Sequence, residues 1–105
     1  MAPAVPSPAL NERQRKHLRR LAHALRPVVR IGQAGVTDGV VRELDRALDD
    51  HELVKISARL GDRAQRQIAL DQLAQRLKAH LVHRVGHVAV LYRAPAGIAK
   101  VVLPG

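Results

Sequence analysis

The chain has 105 residues, with 18 Lys plus Arg against 9 Asp plus Glu, a formal net charge of +9 and no cysteine. That length gives one domain with a single modest core, and the missing thiols exclude disulfide scaffolds, thiolate zinc sites, cysteine nucleophiles and iron–sulfur clusters. One Tyr with no Phe or Trp also removes the aromatic platform on which RRM and OB surfaces stack bases. The opening MAPAVPSPA, residues 1–9, is rich in Pro and Ala without a basic start or an apolar centre, so a disordered tail is expected and not a signal peptide. Asn11 with Gln14 three positions later forms a capping-box pattern, and Leu18, Leu21, Ala22 and Leu25 recur at helical spacing, which predicts a helix over 12–25. At about 100° per residue, Arg13, Lys16, Arg20 and His23 fall opposite those leucines, with Arg15 and Arg19 on the flanks. Pro27 stops the helix, and Val28, Val29, Arg30 and Ile31 read as a short strand.

Gly32, Gln33, Ala34 and Gly35 come next, then Thr37 as an N-cap with Asp38 in the first turn. Val40, Val41, Leu44, Ala47 and Leu48 give the buried stripe of a helix ending near Asp50. A second strand places Val54, Ile56, Ala58 and Leu60 on one face and Leu53, Lys55, Ser57 and Arg59 on the other. Asp62 caps a third helix with apolar positions Leu70, Leu73, Ala74, Leu77 and Leu81. Two strands, 82–85 and 87–93, come after it around a turn at Gly86. The expected fold class is α/β and two-layered: a leading helix, then β-α-β-α-β-β, with a four-stranded mixed sheet carrying helices on one face. Residues 98–103 are apolar enough for a short edge strand or a packed tail.

The charge is not spread evenly. Residues 1–35 carry seven basic and one acidic side chain, residues 36–52 two and six, and residues 53–105 nine and two. A field of this sign draws polyanions. Membrane is excluded as partner, because no apolar run approaches the roughly 20 residues of a spanning helix and no amphipathic helix offers an aromatic face. Like charges three and four apart on a helix repel by a few tenths of a kcal/mol per pair; the leading helix carries that repulsion, and a nucleic acid would relieve it.

The 32–35 loop lies after a strand and before a helix, where small residues let a backbone approach a phosphate. Without its context a GxxG is close to a chance event, and a tight turn using glycine is an equal reading. Neither GxxxxGK[ST] nor GxGxxG is present, so no NTP or dinucleotide site is expected. With base-stacking modules excluded, a backbone clamp of the KH kind remains, in which a GxxG loop acts beside basic residues.

Other constellations carry less. His80, His83 and His87 sit on different segments without local carboxylates, so no metal is expected. Ser7 and Ser57 stand in no nucleophile motif, and the chain is read as a non-enzyme without cofactor or small-molecule substrate. The acidic face at Glu43, Asp45, Asp49 and Asp50 reads as solvent surface, with a protein-interaction face as the rival. Tyr92 shares strand parity with Val88 and Val90 and is expected to bury its ring. Arg93 lies on the opposite face with Ala89 and Leu91; were that the open side of the sheet, Lys55, Arg59 and Arg93 would extend a cationic track.

LNERQRKHLRRLAHALRPVVRIGQAGVTDGVVRELDRALDDHELVKI and the closing VGHVAVLYR resemble the CRM family (chloroplast RNA splicing and ribosome maturation), single-domain bacterial YhbY type, over roughly four-fifths of the chain. The resemblance implies an RNA-binding domain over residues 10–94, with a fold similar to the C-terminal domain of translation initiation factor three. It implies association with rRNA in precursors of the large ribosomal subunit; a cytoplasmic location and a monomer are expected alongside. RNA contacts are then expected at Arg13, Lys16, Arg19, Arg20, Arg30, Gly32, Gln33, Ala34 and Gly35. A DNA-binding or chromatin-type protein of related fold is the alternative. Two departures stand out: many relatives carry Lys in the loop where this chain has Gln33 and Ala34, and Lys78 stands where the family tends to end its third helix with Gly, which suggests a slightly longer helix here.

Overall fold

A computed structural model describes residues 9–95, 97, 99 and 101–104. Most of the expected N-terminal tail, residues 1–8, lies outside the described residues, as do Ile98 and Lys100 of the C-terminal segment. In chain order the elements are α1 (Glu12–Ala22), β1 (Val29–Ile31), α2 (Asp38–His51), β2 (Leu53–Ala58), α3 (Arg63–Leu77), β3 (His80–Val85) and β4 (Val88–Tyr92). The sheet order is β1-β2-β4-β3, with β1 parallel to β2 and the other two pairings antiparallel. The α/β class, the element order and the four-stranded mixed sheet are those read from the sequence.

Helix boundaries obey local chemistry. Asn11 and Gln14 form a reciprocal capping box, with the Gln14 backbone N–H donating to Asn11 Oδ1 at 2.8 Å. Asp62 and Gln65 do the same for α3, and Thr37 accepts from the Val40 N–H to start α2. Each box satisfies backbone donors that a helix start otherwise leaves without partners. α1 ends at Ala22, three residues short of the expected end. Ala24 and Leu25 bond three residues back, to Leu21 and Ala22 carbonyls, a tightening that precedes Pro27, whose ring excludes continued α-helix.

α3 stops at Leu77, not later. Lys78 takes the left-handed cap conformation itself, at φ 56° and ψ 41°, in the place where a glycine would be unstrained. The chain is thus free to enter β3 at His80, and Leu81 belongs to the strand and not to the helix.

The expectation of helices on one face needs correction. α2 and α3 do share a face: Leu44, Leu48, Leu70, Leu73 and Leu77 pack with Val29, Ile31, Val54, Ile56, Ala89 and Leu91 in the main core. α1 lies on the other face, where Leu18 and Ala22 pack with Leu53, Val82, Val90 and Tyr92 in a second cluster. The physical reason is alternation. Leu53 pairs with Tyr92 and Lys55 with Val90, so the second face of β2 and β4 is apolar at one end and demands its own cover. Val101 and Leu103 pack against this cluster as well, and the Val101 N–H donates to the buried Glu52 carboxylate at 3.2 Å. Tyr92 is buried, as its parity suggests, stacked on His80 with ring centroids 6.3 Å apart. Burial, and then the Glu52 charge, push its hydroxyl above the ordinary value of 10.0.

Candidate nucleic-acid interface

α1 covers only one end of its face of the sheet. At the other end, beyond Lys55 and Val90, a groove of about 320 Å³ lies open, lined by Pro27, Arg30, Ile31, Gly32, Ser57, Arg59, His87 and Val88. Its floor is set by register: Arg30 pairs with Ser57, and Ser57 with Val88, so these side chains share the face that α1 leaves uncovered. β1 then delivers Gly32 at the rim.

The 32–35 loop is a tight turn, closed by the Gly35 N–H donating to the Gly32 carbonyl at 2.9 Å. Gly32, Gln33 and Ala34 are exposed. Gly35 sits at φ +78°, which an L side chain tolerates poorly, whereas Gly32 has an ordinary φ. A Cβ built at either glycine meets nothing within 4 Å, so the space above the loop is open to an approaching backbone. The turn needs Gly35 for its own geometry; Gly32 is not required by any contact inside the protein.

The α1 cations fall as the helical wheel places them. Arg13, Lys16 and Arg20 are exposed, and with His17 and Pro104 they line a shallow groove of their own. Arg15 is drawn toward β3 and donates to the Leu81 carbonyl at 3.3 Å. Arg19 lies on the same flank, close enough to His83 to act on it. Partial burial, then the charges of Arg19 and His23, push His83 below its ordinary value of 6.5. Among the described residues, none of Arg13, Lys16, Arg19, Arg20 or Arg30 has a carboxylate within 4.0 Å.

The carboxylates go elsewhere. Asp38 faces Arg76 at 3.6 Å. Arg93 reaches Asp45 and Asp49 of α2 at 2.7 and 2.8 Å and donates as well to the Asp45 and Leu77 carbonyls. Arg93 is therefore not part of an open track, because its face of the sheet is the one that α2 and α3 cover. Asp45 and Asp49, read as solvent surface, are exposed and in addition partner a cross-fold arginine. Lys55 and Arg59 do lie on the opposite face from Arg93, and Arg59 lines the open groove.

The structure thus assembles the expected contact residues in two groups, the α1 cations and the Arg30 and Gly32 groove. They share one face of the sheet but line separate grooves. Sequence reasoning left out His87, Ser57 and Val88 of that groove, and Arg63, Arg66 and Arg84 at the same end of the sheet. The strand pairings that join Arg30, Ser57 and Val88 span more than twenty residues of sequence, and Arg66 of α3 reaches the Gly86 carbonyl across 20, so neither leaves a local signal. The three histidines considered as metal ligands are not brought together: His80 stacks on Tyr92, His83 faces α1 and His87 lines the groove.

The sequence model of one family, the CRS1 / YhbY (CRM) domain, matches residues 10–93. An RNA-binding protein of Haemophilus influenzae is 41% identical over 95 residues, covering 90% of this chain and 95% of that protein. A Pseudomonas aeruginosa protein named Probable RNA-binding protein is 40% identical over 85 residues, covering 81% of this chain and 82% of its own length. The solution structure of a hypothetical protein from Staphylococcus aureus superposes with a TM-score of 0.78 at 26% identity, covering 91% of this chain and 100% of that one.

Proposed function

This chain belongs to the CRS1 / YhbY (CRM) domain family, and from that premise we propose that it is a non-enzymatic RNA-binding protein. It grips rRNA by the sugar-phosphate backbone, in precursors of the large ribosomal subunit. Residues 10–94 form the binding unit, and the protein acts as a cytoplasmic monomer. Arg13, Lys16, Arg19 and Arg20 of α1 and Arg30 of β1 contact phosphates; Gly32 and Gly35, with Gln33 and Ala34 at the tip, admit the backbone at the loop.

The observation that carries this reading is the gathering of cations on one face of the sheet: Arg13, Lys16, Arg19 and Arg20 of α1 and Arg30 of β1 lie on that face, and none has a carboxylate within 4.0 Å among the described residues. Exposed unpaired cations on one face attract a polyanion through counterion release. The two named relatives, both called RNA-binding proteins, and the absence of a stacking platform favour RNA held by its backbone. Among the described residues no helix is long and apolar enough to cross a membrane. The ribosomal part of the proposal rests on the family resemblance.

Salt-dependent RNA binding tests the interface. Replacing Arg13, Lys16 and Arg20 with Ala flattens the dependence of log K on log salt by about one unit per lost phosphate contact, with helix content kept. Gly32→Asp weakens binding while the domain stays folded, because the space around Gly32 is open; Gly35→Asp is a poorer probe, since its φ of +78° adds strain. An unchanged slope ends the α1 assignment, and preference for duplex DNA at matched salt moves the reading to a DNA-binding protein. Crosslinking in cells, with sedimentation of ribosomal particles, recovers rRNA from immature large subunits; recovery of mainly other RNA overturns the ribosomal part.

A further inference from the structure

Three more arginines converge at the loop end of the sheet, on the α3 side. Arg66 of α3 and Arg84 of β3 both donate Nη1 hydrogen bonds to one acceptor, the Gly86 carbonyl, at 3.2 and 3.1 Å. Two guanidinium groups of like charge are thereby held around a single neutral oxygen. Arg63, one turn earlier in α3, is exposed, and its side chain has no hydrogen bond or ion pair among the described residues. With Val85 and Gly86 these three side chains line a groove of about 420 Å³. The neighbouring acids are engaged elsewhere: Asp62 accepts from the Gln65 N–H at 2.8 Å and Asp71 from Gln67 Nε2 at 3.0 Å. Arg84 Nε meets Gln67, a neutral amide.

The helix start adds to this convergence. α1 and α2 have neutral N-caps and an acid in the first turn, Glu12 and Asp38, whereas α3 carries its acid as the N-cap Asp62 and its first turn begins with Arg63, with Arg66 one turn on. A helix N-terminus is the positive end of the dipole, so cations there oppose folding and an anion favours it. The cost of like charges gathered at this helix start falls if a phosphate oxygen enters the groove, where the accessible Nη donors of the guanidinium groups match its geometry.

We propose that the α3 N-terminus and the β3–β4 hairpin form a phosphate-binding site, with Arg63, Arg66 and Arg84 holding one phosphate group. Resting on the RNA-binding reading above, that group is a backbone phosphodiester of the bound RNA. The loop and this site lie at the same end of the β1-β2-β4-β3 sheet, about three strand spacings or ~14 Å apart. Ile31 bonds to Arg59 and Ala58 to His87 along that edge, so the interface runs along the whole sheet end, with Arg59 between the two.

Thermal unfolding and RNA titration of the full chain and of Arg63→Ala and Arg84→Lys decide the matter. Inorganic phosphate raises the wild-type Tm more than chloride at equal ionic strength, and both variants lose the excess; comparing variants cancels the general effect of phosphate on stability. In phosphate-free buffer Arg63→Ala unfolds at or above the wild-type Tm, which a structural arginine would not allow. With a fluorescein-labelled single-stranded RNA of mixed sequence, Arg63→Ala binds several-fold more weakly and lowers the salt slope by about one unit. A wild type without the phosphate excess, or an Arg63→Ala that keeps it, overturns the site. Loss of the excess with an unchanged RNA slope assigns the site to free phosphate and overturns the phosphodiester. If the wild type binds no RNA while the phosphate arm holds, the RNA-binding reading falls and the phosphate site stands.

Discussion

Lys78 shows how far a single residue departs from the solution its position favours. It closes α3 in the left-handed conformation, φ 56° and ψ 41°, where a Cβ costs about 1–2 kcal/mol relative to glycine. Lys78→Gly is therefore expected to stabilise the domain by about 1 kcal/mol, read as a higher urea midpoint with unchanged m, and to leave RNA affinity alone. A lower midpoint would mean that the Lys78 side chain makes up more than its backbone strain. The family resemblance marks the position, as a Lys where a Gly is expected, but not its consequence. Whether a helix continues there or is capped under strain depends on where the next strand starts, and β3 begins at His80. Arg93 was less legible still. Its partners Asp45 and Asp49 lie 48 and 44 residues away, so its strand parity could be read and the helix covering that face could not.

Among the elements, α1 has the most legible inner chemistry and the least legible placement. Its capping box, its buried Leu18 and its cationic outer side all derive from spacing within one helix. Its position on the second face depends on Leu53, Val82, Val90 and Tyr92, contributed by three strands. The consequence is electrostatic. Partial burial, then the charges of Arg19 of α1 and of its C-cap His23, lower the pKa of His83 on β3. A base with a depressed folded pKa binds fewer protons folded than unfolded, so its contribution is fully present above about pH 6.5 and is lost as pH falls through 6.5 toward the lower folded value. His83→Gln is expected to remove that part of the acid dependence of stability, measured by urea unfolding across the same range. An RNA phosphate at Arg19 acts in the opposite direction: it favours protonated His83, so wild-type affinity rises from about pH 8 to pH 6 more than that of His83→Gln. Equal pH profiles for the two proteins would separate Arg19 and His83 from the RNA.

Across the whole molecule, the two proposed contact groups lie on one face of a domain measuring 38 × 35 × 22 Å, with α1 over one end and the Arg30 groove open at the other. A strand that touches both must cross the sheet between them, past Lys55. This arrangement distinguishes one continuous interface from two independent ones. With an RNA longer than the domain, the slope losses of the Arg13, Lys16 and Arg20 variant and of an Arg30→Ala/Arg59→Ala variant should add, because each removes phosphates from the same bound strand. With a trinucleotide, which reaches one group at a time, each variant leaves the slope set by the surviving group. If long RNA responds to only one set of substitutions, the other set is solvent surface, and the cations that look unpaired there are so because water suffices for them.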